Sequence, residues 1–228
     1  MKKVAILQSN YIPWKGYFDL IAYVDEFIIY DDMQFTKNDW RNRNKIKTPQ
    51  GLMWITIPVG SNINRKINEV IFSDNNWREK HCKILEMNYK KSKYFKEVFV
   101  FLEPIILDTQ CENLSVFNTR LIQAICNYLN INTKITFSSD YGLVDGKTER
   151  LVDLCVKTHA DIYVSGPAAK DYIDESLFVQ KNISLEWFQY AEYIEYPQLW
   201  EGFDHQVTIL DLLFNCGSDS IKYMRYTK

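Results

Sequence analysis

The first 31 residues constrain the fold most. Val4–Gln8 is a short apolar run that stops at Ser9-Asn10, the pattern of a buried strand ending in a polar turn. Gly16–Tyr23 follows, with Tyr17, Leu20, Ile21 and then Val24 at helical spacing. Glu26–Asp31 holds Phe27-Ile28-Ile29-Tyr30, a second buried strand ending in two acids. Strand, helix and strand within about 30 residues is the size of a βαβ unit.

The rest of the chain extends that alternation. Met53–Val59 and Ile67–Phe72 read as strands around a polar turn, a candidate hairpin. Trp77–Tyr89, Tyr94–Leu107 and Leu114–Leu129 have helical periodicity, with Pro104 expected to bend or end the second. Lys134–Phe137, Asp161–Val164 and Leu185–Phe188 are further strands, and Lys147–His159 and Val207–Phe214 further helices. Gly217 suits the cap of the last helix. The expectation is an α/β protein with a mainly parallel sheet. It forms one domain over 1–228, with a mostly helical segment, 76–130, inserted in the middle.

Composition narrows the class. At 46% hydrophobic and 25% charged residues the chain is not disordered. A net charge of −2 argues against a nucleic-acid partner held by bulk electrostatics. No apolar run reaches the roughly 18–20 residues of a membrane span, and the start reads as a strand, not a signal peptide. Five scattered cysteines without a CxxC pair suggest reduced thiols and a cytoplasmic protein. Three histidines far apart in sequence give no metal-ligand spacing, so no metal site is expected. Cys216 and His205, eleven residues apart, could form a thiol–imidazole pair, although a buried Cys is more often a small hydrophobe.

In open α/β sheets ligands bind beyond the carboxyl ends of the strands. The first strand delivers Gln8, Asn10, Tyr11, Trp14 and Tyr17, either a binding loop or an ordinary loop with an aromatic lid. The second delivers Asp31, Asp32 and Gln34. One of the two acids can face a crevice as base, as ligand to a ribose or sugar hydroxyl, or as ligand to Mg²⁺ while the other caps a turn, or else the pair is only a turn or N-cap. Residues 37–47 carry five basic residues and one acid. Lys37, Trp40, Arg41, Asn42, Arg43 and Lys45 there suit a diphosphate, or else form a solvated basic loop. Ser165, Gly166, Lys170 and Tyr172 follow a later strand and offer a weak anion-binding turn. Gln198, in Tyr196-Pro197-Gln198-Leu199-Trp200, could line the same pocket.

These residues together resemble the WbqC-like protein family. The resemblance rests on Gln8, Tyr11-Ile12-Pro13-Trp14, Gly16–Ile21, Tyr30-Asp31-Asp32, Gln34-Phe35, Trp40, Asn42-Arg43-Asn44 and Ile46-Lys47. It continues through Thr56–Val59, Tyr163–Ala168, Asp171-Tyr172, Tyr196–Gln198 and Leu210–Gly217. The family accompanies genes for bacterial O-antigen and other surface-polysaccharide biosynthesis, so the resemblance implies a pathway. A more distant similarity of Pro13–Ile21 to nucleotidylyltransferases implies a Rossmann-like sheet. Their HxGH signature is missing, and Tyr17 stands where its last His would be.

The implied protein is an enzyme that transfers an acyl or aminoacyl group to the amino group of a nucleotide-linked amino sugar. Asp31 or Asp32 would take a proton from the attacking amine or orient a hydroxyl, and Lys37, Arg43 and Lys170 would hold phosphates. The donor would be an acyl-CoA or an acyl carrier protein thioester, with no metal required. A homodimer is the candidate assembly. The alternatives are a carboxylate–amine ligase using ATP and Mg²⁺, and a non-catalytic scaffold that binds sugar nucleotides.

Aromatic residues are 15% of the chain, and sixteen of the 34 fall in residues 11–40 and 187–203. That crowding predicts that the two segments meet over one pocket, with Trp14 or Trp40 touching Tyr196 or Trp200.

Overall fold

The structure is a computed structural model and describes residues 1–226. Five strands form a parallel sheet: β1 (Lys3–Leu7), β2 (Glu26–Ile29), β5 (Lys134–Phe137), β6 (Ile162–Ser165) and β7 (Ser184–Trp187). Their order across the sheet is β5-β2-β1-β6-β7, a Rossmann-like arrangement. The chain leaves β1 outward through β2 and β5, then returns to the other side for β6 and β7. The reversal lies between β1 and β6, where Val4 pairs with Tyr163 and Ala5 with Val164.

Side chains alternate across the sheet, and both faces are covered. Ala5, Phe27, Ile29 and Val164 point into the larger core. That core is closed by α1 (Lys15–Tyr23), α2 (Asn76–Tyr89), α3 (Phe95–Leu107), α4 (Leu114–Tyr128) and α7 (Ile209–Cys216). Val4, Ile6, Ile28 and Tyr30 point the other way, under α5 (Thr148–Lys157) and α6 (Glu175–Val179). Strands covered on both faces are continuous apolar runs, which is why β1 and β2 read so clearly. The helices α2 to α4 are the expected insertion. No helix is long and apolar enough to cross a membrane among the described residues.

Pro104 neither ends α3 nor interrupts its register to Leu107. The carbonyl it leaves without a donor belongs to Val100, which is 72% exposed, so water can take that place. Gly217 caps α7 at φ 57°, and a Cβ there would sit 2.4 Å from the Tyr94 ring.

The hairpin differs from expectation. It is built by β3 (Arg43–Thr48) and β4 (Gly51–Thr56), antiparallel with Arg43 opposite Thr56. Residues 67–69 form a short 3₁₀ turn instead of a strand. Its main chain bonds elsewhere: Ile67 and Asn68 donate to the carbonyls of Met33 and Asp31, both at 2.9 Å, and Phe72 donates to Glu112 at 3.0 Å. Ile67 and Val70 still fill the core. The second part of the basic segment read as a loop, from Arg43 on, is therefore strand. Arg43 and Lys45 face outward, whereas Asn44 and Ile46 are buried.

Candidate functional site

Two cavities flank the carboxyl end of β1. The larger, about 450 Å³, lies at the β1–β6 reversal, where open α/β sheets bind ligands. Gln8 enters it from β1, Met33 from the loop after β2, Lys147 from the start of α5, and Ser165, Gly166 and Tyr172 from the segment after β6. The smaller, about 290 Å³, is walled by Pro13, Trp14 and Trp40, with Asn10, Asn44, His205 and Gln206.

One side chain joins them. The Arg41 guanidinium donates to the side-chain oxygens of Gln8 in the larger crevice and of Asn10 in the aromatic cavity. The Asp39 carboxylate stands 3.7 Å away. Arg41 is held from behind, because its carbonyl accepts from Asn118 Nδ2 at 2.8 Å.

The loop carrying Gln8, Asn10 and Trp14 is fixed at every turn. Ser9 N–H donates to Asp31 Oδ1 at 2.8 Å, and Ser115 Oγ donates to Asp31 Oδ2 at 2.5 Å. Burial raises the Asp31 pKa, and these hydrogen bonds, with the Arg41 charge, pull against it. Tyr17 OH donates to the Gln8 carbonyl at 3.0 Å. Ile12 sits at φ 37°, a costly conformation for a β-branched residue. Asn44 Nδ2 holds that turn by donating to the carbonyls of Tyr11 and Ile12 at 3.0 and 2.9 Å. Gly16 lets the Trp14 ring lie against the start of α1, since a Cβ would meet the indole at 2.4 Å.

The expected residues thus fall into three groups. Gln8, Ser165, Gly166 and Tyr172 line the crevice; Asn10, Trp14 and Trp40 line the aromatic cavity; Arg41 lies outside both linings and bonds one residue of each. Tyr11 and Tyr17 are core, Tyr11 bonding His81 Nδ1 at 2.9 Å. Asn42 is buried and donates to Ile57. Asp32 faces away from Asp31, accepting from Asn68 at 3.1 Å and Ser138 at 2.5 Å. Arg43 lies 4.2 Å over the Trp54 ring, and Lys45 5.2 Å over it. Gln34, Lys37, Lys170 and Gln198 stand outside both linings. Gln34 bridges to Lys66, Lys37 is exposed, Lys170 lies over Trp187, and Gln198 accepts from Lys47.

The two aromatic-rich segments do meet, by other pairs than expected. Trp14 packs on Tyr190 and Tyr193, with ring centres 5.5 and 5.6 Å apart, and Trp40 on Trp54 at 5.1 Å. No ring pair joins either to Tyr196 or Trp200 among the described residues. Instead, Tyr196 donates to the buried Asp211 and Trp200 donates to the Asn88 carbonyl.

Lys147 and Lys15 were not among the expected residues, and His205 and Cys216 were expected only as a thiol–imidazole pair. Lys147 follows Gly146 at the opening of α5, and the strand-end rule applied to β5 would have found it. His205 reaches the aromatic cavity across 160 residues of intervening chain, which no local pattern signals. Burial, then the Lys15 charge, lower its pKa, while Glu195 and Asp204 oppose. Its Nδ1 is buried without a partner. Cys216 is buried, its thiol pushed up to about 11, and the His205 ring contacts Phe203 edge-on at 4.5 Å. Lys15 is also buried, beside Trp14. Among the described residues no three His, Cys, Asp or Glu side chains gather as a metal site would require.

Residues 8–223 match the model of the WbqC-like protein family. The chain belongs to that family. This WbqC-like protein is 55% identical, over 230 residues, to uncharacterized protein Rv1507c of Mycobacterium tuberculosis (strain ATCC 25618 / H37Rv), with 100% of each chain covered. No solved structure matches it. The match runs from the Gln8 loop to beyond α7, so it takes in all of the aromatic cavity and all of the crevice except Ile6 and Leu7 of β1.

Proposed function

We propose that the protein transfers an acyl or aminoacyl group to the amino group of a nucleotide-linked amino sugar, in the cytoplasm, during bacterial surface-polysaccharide biosynthesis of the O-antigen kind. The observation that carries this reading is the junction of two chambers at Arg41. A nucleotide sugar has an anionic end and a ring end, and a transferase must hold both while admitting a donor. The crevice suits the anionic end. It offers Lys147 at the start of α5 and the Ser165-Gly166 main chain. Tyr172 and Tyr30 add aromatic walls. Asp31 acts at one remove, holding Ser9 and through it the two amides that Arg41 joins. The donor is an acyl-CoA or an acyl carrier protein thioester.

The test is mass spectrometry of nucleotide amino sugars incubated with the protein and such thioesters. The expected product is the sugar heavier by one acyl group, formed by the native protein and lost in Arg41→Met. No product with any donor would remove the transferase reading. Calorimetry with ATP and Mg²⁺ separates the ligase alternative, which requires binding. A scaffold predicts instead that folded Arg41→Met supports normal polysaccharide output.

A further inference from the structure

The aromatic cavity differs from the crevice in charge. Its lining is Asn10, Pro13, Trp14, Trp40, Asn44, His205 and Gln206, with no carboxylate, lysine or arginine among them. A phosphate finds no counter-charge on these walls. The charged groups around it stand further back. Arg41 bonds Asn10 and is itself 3.7 Å from Asp39, which accepts from Trp40 N–H at 2.7 Å; Lys45 reaches Gln206 at 3.5 Å, and the buried Lys15, with Glu195 and Asp204, acts on His205.

Its chemistry is that of apolar faces with a polar perimeter. Two indoles and a proline supply the faces. The hydrogen-bonding groups come from two separate segments. Asn10 gives its oxygen to Arg41, and its amide nitrogen has no partner among the described residues. His205 brings its ring to the wall, with Nδ1 buried on the side away from solvent and without a partner. Gln206 supplies a further amide. Asn44 is fully engaged with the main chain and contributes only wall. A flat base is polar along its edge, whereas a pyranose carries hydroxyls around its whole rim and apolar C–H faces above and below. The volume, about 290 Å³, lies at the lower end of ligand sites, about 300–1,000 Å³. That admits one substituted ring and excludes an entire nucleotide sugar.

We propose that this cavity is a saccharide subsite that takes a single aminohexose ring, with its amine in the neutral form against His205. The absence of a lining carboxylate and the nearby Lys15 disfavour a protonated amine, which leaves the nucleophilic form bound. This rests on the reading of the protein as an amino-sugar transferase and adds where the ring sits and in which protonation state.

The experiment is ligand-observed NMR on the full chain with glucosamine, N-acetylglucosamine, uridine and the diphosphates UDP, GDP and dTDP as separate probes. Glucosamine should bind more tightly at pH 9 than at pH 6. Trp40→Ala and His205→Gln should each weaken glucosamine by about tenfold and leave diphosphate binding unchanged. Trp40 is 40% exposed, so its removal leaves the core intact, and His205→Gln is the second, independent variant. Glucosamine affinity unchanged in both variants would overturn the proposal, as would uridine displacing glucosamine. Tighter binding at pH 6 would overturn the neutral-amine assignment. Glucosamine binding without any diphosphate binding would leave the subsite standing and remove the nucleotide-sugar reading of the crevice.

Discussion

Replacing Lys15 by Met should stabilise the protein at neutral pH, and the advantage should vanish in alkali. Lys15 is 3% exposed. Its ammonium makes one hydrogen bond, to the Ile194 carbonyl at 3.2 Å, and lies 4.9 and 5.0 Å from the ring centres of Tyr193 and Tyr196. No carboxylate pairs with it among the described residues. Burial lowers its pKa from 10.5 to about 8, against the pull of Asp19 and Cys216. At pH 7 the folded and unfolded chains are both protonated, so folding must bury a cation. A shift of about 2.5 pH units corresponds to about 3 kcal/mol of destabilisation. Between pH 8 and 10.5 the unfolded chain keeps a proton that the folded chain has released, so native stability rises with pH across that window. Met matches the aliphatic stem and has no charge, and the freed Ile194 carbonyl belongs to an exposed residue. The variant also loses the attraction of the ammonium to the tyrosine faces, about 0.5–2 kcal/mol. The net expectation is a gain of about 1–2.5 kcal/mol at pH 7, shrinking to zero or reversing by about pH 10. Urea unfolding of both proteins at pH 7, 8, 9 and 10 measures it. A variant less stable at pH 7, or a difference that ignores pH, would refute the reasoning.

The packing sets three further expected outcomes. Asn44→Ala removes the donors that hold Tyr11 and Ile12 in their strained turn, and urea unfolding should show a loss of about 2–4 kcal/mol. Arg78 is 1% exposed among Phe72, Trp77 and Phe117, and donates to the carbonyls of Ile106 and Cys111 and to Asn75 Oδ1. Arg78→Ala strands two buried carbonyls and should lower stability by about 3–5 kcal/mol in thermal or urea unfolding. Burial works to raise the Glu26 pKa, but Lys2, Tyr141, Lys134 and Thr136 outweigh it and hold the value at about 2. The stability Glu26 contributes is therefore complete above its ordinary pKa of 4.5 and lost as pH falls from there toward 2. Glu26→Gln should flatten that part of the acid-unfolding profile, and an unchanged profile would contradict the assignment.

The parallel sheet was legible because its strands are short apolar runs buried on both faces. β3 was not, because Arg43-Asn44-Lys45-Ile46-Lys47 has one apolar residue and poor strand formers. Asn44 is buried there only because the Tyr11 and Ile12 carbonyls need its amide, a demand set by a loop 32 residues away. Ile67–Phe72 misled in the opposite sense. Its apolar residues are buried, but by a turn whose hydrogen bonds run to Met33, Asp31 and Glu112. Of the candidate site, Gln8, Asn10 and Trp14 followed from the strand-end rule and Arg41 from local charge. Asp31 and Asp32 looked like a chemical pair, and only tertiary structure shows that Ser9, Ser115, Asn68 and Ser138 occupy their oxygens. Lys15 gave no local signal, and His205 was noticed only beside Cys216, since the settings of both depend on segments far off in sequence.

The loop after β1 serves both chambers within seven residues, from Gln8 to Trp14. A change that suits one chamber there disturbs the other through Arg41, so neither can drift in preference independently at that point. Change is then channelled to segments that touch a single chamber: Ala168–Tyr172 on the crevice side and His205–Gln206 on the aromatic side. A mutant library built to alter selectivity should be confined to those two stretches, with Gln8 to Trp14 and Arg41 held constant.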